Sequence, residues 1–251
     1  MGLFAKFKSY RDNQNHKKTE KAQKLIKNPK AAREDRWGAL QFMTEYDDVA
    51  VAVPILLQRF EYSLEHGIND TKEKELAMKG IIAQGVNALP FLREHLTKTT
   101  RIAWPIKILK EIADDQVVVE TLRTALDFKD VSFDQSAVDK NYDILCYLRD
   151  YNVPGLLNDL KHFLNDPDER VRFAAVEAII EQDDPGVAQV LEPFLVDHSP
   201  ENRRIKLAAI TAFLKHHWKV QDPVKFNGLQ IEPGIVLNPV GGLEIQRSAL
   251  Q

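Results

Sequence analysis

Residues 166–218 write the same helical sentence twice. Val171-Arg172-Phe173-Ala174-Ala175-Val176 returns 34 positions later as Ile205-Lys206-Leu207-Ala208-Ala209-Ile210. Ala178-Ile179 returns as Ala212-Phe213, and between the two helices Phe163-Leu164 recurs as Phe194-Leu195. Self-similarity at that spacing marks stacked helix pairs, because one pair alone cannot bury its apolar face. The feature constrains architecture strongly and chemistry hardly at all.

A repeat array grows by adding units, so the length of 251 residues says little about domain count. The apolar fraction of 44% is ordinary for a folded soluble protein. No apolar run approaches the roughly 18 residues a membrane span requires. The first residues carry charges, with no uninterrupted apolar core and no small-residue cleavage site, which argues against a secretory leader. The single Cys146 excludes an internal disulfide framework and suits a reducing cytosol. The expected location is therefore cytoplasmic, with peripheral contact at the inner membrane face as the alternative. The net charge of −3 hides an asymmetry: residues 1–30 hold nine Lys or Arg against Asp12 and Glu20, and the remainder holds 25 basic against 35 acidic groups. A basic arm precedes an acidic body.

Three regions follow: a basic, partly helical arm over 1–30, a repeat array over 31–218, and a turn-rich segment over 219–251. In the arm, Leu3, Phe4 and Phe7 lie near one helical face with Lys6, Lys8 and Arg11 around them, and a Lys-rich run follows with Lys17, Lys18 and Lys21. Two readings stand open. One is a surface anchor for anionic lipid or an acidic partner. The other is a solvated leader whose few apolar residues pack on the first repeat. Gly2 does not make a myristoylation site, because Lys6 stands where Ser or Thr is required.

In the array, Trp37, Leu40 and Met43 or Thr44 mark a first helix, Asp47-Asp48 breaks it, and Val53-Pro54-Ile55 is expected to start the second. Asn69-Asp70-Thr71 offers an N-cap to the next helix. Further pairs are predicted over 72–84 with 86–97, 101–113 with 116–126, and 137–150 with 154–164, before the duplicated stretch supplies the fifth and sixth units. The last unit has only one full helix. In the final segment Leu229/Ile231 and Ile235/Leu237 flank Glu232-Pro233-Gly234, which reads as a small hairpin laid on the last repeat. It is either a cap over the exposed apolar end or a peptide that a partner recognises.

The expected fold is thus all-α: an α-solenoid of about five to six antiparallel helix pairs with a short turn-rich C-terminal segment. Asp166, Val171-Arg172 and the Ala174-Ala175 pair resemble the HEAT-repeat signature, including the short repeats of phycobilin-lyase-like proteins. In the sixth unit Asp197 and Lys206 take the comparable places. The resemblance spans about residues 31–218 and implies an Asp and Arg ladder between neighbouring repeats, with Asp166, Arg172, Asp197 and Lys206 in inter-repeat structural roles. From Met1-Gly2-Leu3-Phe4 through Trp37-Gly38-Ala39-Leu40 to Val171-Arg172-Phe173 the chain looks like an uncharacterised bacterial family of HEAT-repeat proteins, which implies no activity.

Motifs for chemistry are missing. Gly241-Gly242 lacks the context of a phosphate loop, and there is no Gly-x-Ser-x-Gly elbow, His-Glu-x-x-His or Cys pair. Adjacent His216-His217 point about 100° apart on a helix, which suits surface histidines better than a shared metal. HEAT-like deoxyhypusine hydroxylases use His-Glu dipeptides, and only the reversed Glu65-His66 and Glu94-His95 occur. Cys146 lies in an apolar helical run, as a core thiol does. Asp114-Asp115 and Asp183-Asp184 fall at inter-helix turns, where Asp caps. HEAT-like alkylpurine DNA glycosylases use Trp, Arg and Asp on a basic surface; Trp37, Trp104 and Trp218, with Arg101 and Asp115 near Trp104, are the possible counterparts. The acidic body argues against nucleic acid. No catalytic, cofactor-binding or metal residue is expected. The reading is a non-enzymatic scaffold holding another protein, with membrane-surface association through the basic arm as the alternative.

Overall fold

The computed structural model describes residues 3–129 and 134–246, and of residues 3–13 the backbone alone. It divides into two compact units, residues 1–125 and 126–251. Both are built of helices packed in sequential pairs, consistent with a HEAT-like solenoid.

The first unit contains α1 (Leu3–Lys27), α2 (Arg33–Thr44), α3 (Val49–Leu57), α4 (Gly67–Ile82), α5 (Leu89–Lys98), α6 (Ala103–Ile112) and α7 (Asp115–Ala125). Each helix from α1 to α5 packs on the next helix but one, and most also on their sequence neighbours, so α2 meets α1, α3 and α4. Leu40, Met43, Ala52, Val53, Leu56, Ala77 and Ile81 fill the core at full burial. The arm is not free along its length: Thr19, Ala22 and Ile26 of α1 are buried at a spacing of three to four, the signature of one apolar stripe. Lys17, Lys18 and Lys21 are exposed on the other side.

Two local expectations fail here. The second helix starts at Val49 rather than Val53, because the Asp48 carboxylate accepts from Ala50 N and caps it there. Pro54 therefore stands inside the helix, where its missing N–H leaves the carbonyl four residues back without its usual donor. By contrast Pro90 does sit in the first turn of α5. Asp70 does not cap: α4 begins at Gly67, and Asp70 is drawn into an ionic cluster instead. The first helix forms as expected, with Leu40 and Met43 buried and Trp37 half-buried beside Arg36, which is 3% exposed.

The second unit contains α8 (Gln135–Leu148), α9 (Leu156–Leu160), α10 (Glu169–Ile180), α11 (Val187–Leu191) and α12 (Arg203–His216), then β1 (Ile235–Leu237) and β2 (Leu243–Ile245). Asp134 and Asp168 cap α8 and α10. Both α9 and α11 tighten into 3₁₀ turns, Lys161–Asn165 and Glu192–Val196. The duplicated sentence is duplicated packing: Val171 and Ile205, Ala175 and Ala209, Ala178 and Ala212, Ile179 and Phe213 are all buried. The short alanines let α10 lie against both α8 and α12.

The hairpin exists, one turn later than expected. Ile235 pairs with Ile245 and Leu237 with Leu243, antiparallel. Glu232-Pro233-Gly234 does form a tight turn, closed by Ile235 N donating to Glu232 O at 3.0 Å. The strands are set by the following turn, where Asn238 Oδ1 accepts from Val240 N and Gly242 N, and Gly241 adopts φ +86°. That register buries Leu243 as β2 packs on α12, whereas Leu229 remains 51% exposed.

Candidate functional site

The side chains of Phe4, Lys6, Phe7, Lys8 and Arg11 lie outside the described residues. The other predicted positions can be placed. Arg172, fourth residue of α10, donates from Nη1 to the main-chain oxygens of Asp166 (2.8 Å) and Pro167 (3.0 Å). Its Nε reaches forward to Asn202 Oδ1 at 3.1 Å, and Asn202 Nδ2 donates to Asp197 Oδ2 at 2.7 Å. The link from Arg172 to Asp197 thus runs through Asn202. The Asp166 side chain accepts from Asp168 N. Burial would raise the Asp197 carboxyl, but hydrogen bonds from Ser199, Asn202 and the Ser199 amide hold it below the usual range. Lys206, fourth residue of α12 and 4% exposed, stands 3.2 Å from His198 Nδ1 and 3.7 Å from Glu232. Through Glu232 it ties the turn-rich segment to the last helix.

The first unit uses the same device in a form that the sequence concealed. Arg36, fourth residue of α2, donates back to Ala31 O (2.7 Å) and Pro29 O (3.3 Å), and forward as a fork to Glu73, at 2.8 and 2.9 Å. Glu73 Oε2 also accepts from Arg59 Nε at 2.7 Å. Arg59, with no exposed surface, donates from Nη2 to Asp70 at 2.7 Å, and Asp70 in turn takes Lys74 at 2.7 Å. The Arg59 guanidinium lies 4.5 Å from the Tyr62 ring centroid, and Tyr62 Oη donates to Ile26 O of α1. Burial pushes the Tyr62 phenol up. Burial also works to raise the Asp70 carboxyl, yet Lys74, Arg59 and the Leu64 amide together hold it below the usual range. A buried ionic cluster so fully paired fixes the helices that it joins.

A surface concavity lies along α10 and α12, beside the turn that follows α8. It is an open groove of about 790 Å³. Phe173, Ile180, Leu207 and Ala208 supply its apolar floor, and Leu207 is 40% exposed. Phe173 and Leu207 are the same position of the duplicated sentence, so the repeat that builds the core also builds the groove. Arg170 and Arg204 are likewise equivalent, and each leans back over the preceding helix. Arg170 lies over Tyr142 and pairs with Asp139 at 2.9 Å. Arg204 lies 4.0 Å from the Phe173 centroid and pairs with Glu169 at 3.2 Å. Their spacing of 34 was the visible signal for this stair. Arg149, Asp150, Glu177, Glu181 and Lys215 make the rim, with Arg149 and Glu177 3.5 Å apart.

Cys146, Trp104 and Trp218 each make contacts within the fold. Burial pushes the Cys146 thiol up, against the hydrogen bond with Tyr142, and disfavours the reactive thiolate. Trp104 stacks on Phe60, and Trp218 meets Phe213 edge-on and His216 face-on. Among the described residues, no three or more His, Cys, Asp or Glu side chains gather so as to hold a metal ion. No described helix is long and apolar enough to cross a membrane.

The family model of HEAT repeats matches residues 143–212, from the second half of α8 into α12, and so spans the groove face. No curated protein and no solved structure matches the chain.

Proposed function

We propose that the protein is a non-catalytic scaffold that holds another protein, and that the groove along α10 and α12 is its binding face. The carrying observation is the groove itself. Leu207, 40% exposed, and Phe173, partly beneath the Arg204 guanidinium, form an apolar floor inside a rim of mixed charge. Interfaces place their energy in such central apolar anchors, while rim charges steer approach and set specificity. HEAT repeats generally serve protein interaction, and the match over residues 143–212 supports that use of this face. The short-repeat, phycobilin-lyase-like resemblance and a cytoplasmic setting belong to the same proposal. The test is affinity capture from native extract with the wild type and a Leu207→Lys variant, bound proteins being identified by mass spectrometry. A protein held by the wild type and lost by the variant supports the reading; capture indifferent to the substitution overturns it.

A second reading is favoured by one observation. Lys17, Lys18, Lys21, Lys24 and Lys27 are all exposed along α1. A helix with such a face can lie on anionic lipid. Binding to phosphatidylserine vesicles that disappears in a Lys17→Glu/Lys18→Glu/Lys21→Glu variant would support it, and binding indifferent to those changes would exclude it.

A further inference from the structure

The groove is not electrically even along its length. Toward the C-terminal end of α10 stand Asp150, Glu177 and Glu181, with Asp183 and Asp184 following directly in the chain. The cations at that end are Arg149, already paired with Glu177, and Lys215. The helix C-terminus adds its own negative partial charge. The second unit as a whole carries 13 basic and 20 acidic side chains. The site therefore asks for a short segment that presents apolar side chains to Phe173 and Leu207 and cations to the acidic end.

This chain contains such a segment. Residues 1–30 hold nine basic and two acidic side chains, and the first of them read Leu3-Phe4-Ala5-Lys6-Phe7-Lys8. At helical spacing Leu3, Phe4 and Phe7 share one face. The backbone there is helical from Leu3, as part of α1. Yet α1 has 25 residues and α2, on which it packs, has 12. At about 1.5 Å per residue, α1 outruns that neighbour by roughly 20 Å. Its first buried side chain in the described part is Thr19.

We infer that the groove of one copy receives residues 3–11 of a second copy. Phe4 and Phe7 sit on the floor made by Phe173 and Leu207, and Lys6 and Lys8 face Glu177, Glu181 and Asp150. This rests on the groove being a protein-binding face, as proposed above. The contact is heterologous, one copy's arm against another's groove, so it extends into a ring or an open chain of copies.

The experiment uses two full-length variants that each spoil one side of the contact. Glu177→Lys/Glu181→Lys spoils the groove and keeps the arm. Phe4→Ser/Phe7→Ser spoils the arm and keeps the groove. By sedimentation velocity the wild type should associate with rising concentration, and each variant alone should weaken this at least about tenfold. Mixed one to one, the intact arm of the first should fill the intact groove of the second, and growth should stop at a heterodimer. That rescue also shows that both variants are folded. A wild type that stays monomeric, association that survives in either variant, or a mixture that does not recover would overturn the inference. A monomeric wild type that instead binds anionic vesicles through Lys6 and Lys8 would assign the arm to membrane. If foreign partners are still captured and lost with Leu207→Lys, only the self-contact falls; if capture ignores that substitution, the groove reading falls as well.

Discussion

The two units solve one problem with different materials. In each, an arginine at the fourth position of a helix ties the preceding turn to the following helix pair. Arg36 grips Pro29 O and Ala31 O behind it and Glu73 ahead; Arg172 grips Asp166 O and Pro167 O behind it and Asn202 ahead. The first link is dry, since Arg36 and Glu73 are 3% and 1% exposed, and it joins two arginines to one carboxylate. The second is half-exposed and reaches the Asp197 carboxylate only through the neutral amide of Asn202. Desolvating two arginines and a glutamate is costly, and the cluster holds because its donors and acceptors are satisfied together. A solvated link forgoes that strength and also its fragility.

The difference sets the largest expected effect. Glu73→Gln leaves Arg36 and Arg59 buried without their common counter-charge, and should cost about 3–5 kcal/mol of stability. Urea unfolding of the full chain measures it. The matching cut in the second unit, Arg172→Ala, removes hydrogen bonds that water replaces in part, and should cost about 1.5 kcal/mol. Equal losses would mean that burial does not distinguish the two links.

Glycines sharpen the comparison within the first unit, at about 1 kcal/mol. Gly80 of α4 faces α2 so closely that a Cβ would collide with Thr44 Cγ2 and lie 3.1 Å from Leu56 Cδ1. Alanine there gains roughly 0.5–1 kcal/mol of helix propensity and loses about 1–3 to overpacking, so Gly80→Ala should destabilise. Gly38 of α2 has nothing within 4 Å of its would-be Cβ, and Gly38→Ala should stabilise by about 0.4–1 kcal/mol. Melting temperatures moving in opposite directions are the expected result; shifts of the same sign would contradict the close α2–α4 approach.

How much of this was legible in the sequence follows from range. Helix periodicity and turn aspartates act over a few residues, and they located nearly every helix pair, including the single full helix of the last unit. The duplicated sentence carried its burial pattern with it, from Val171 and Ile205 to Ile179 and Phe213. The ionic cluster was hidden because Arg36, Arg59 and Glu73 meet only after folding, at separations of 37 and 14 residues, and isolated charges are ordinarily surface groups. One signal was available: Arg36 and Arg172 hold the same place in their helices. The groove was half visible. Phe173 and Leu207 stood out as copies of each other, but only the packing of α10 between α8 and α12 shows that this position faces outward. The hairpin was misplaced because two adjacent turns competed, and the burial of Leu243 on α12, a tertiary term, selected the second.

The smallest effects separate the two units by sign. Asp70, in the cluster, has its carboxyl below the usual aspartate range, since hydrogen bonds from Lys74, Arg59 and the Leu64 amide outweigh burial. A carboxyl depressed in the folded state contributes stability that is present above its unfolded value, near about 3.9, and is lost as pH falls through the folded one. Asp143, on α8 of the second unit, is displaced upward by partial desolvation and by Asp139 one turn away, against the pull of Arg170. Its charge therefore opposes folding at neutral pH, and protonation relieves the opposition as pH falls through the raised value. Asp70→Asn should then lower the melting temperature at pH 7 and flatten its fall in acid. Asp143→Asn should raise it at pH 7, with the gain vanishing as the wild-type carboxyl takes up its proton. Melting curves from pH 7 to about pH 3 decide between these slopes. If Asp143→Asn lowered stability at neutral pH, Asp143 would be using its charge in an ion pair, and the contrast with the saturated cluster around Asp70 would be wrong.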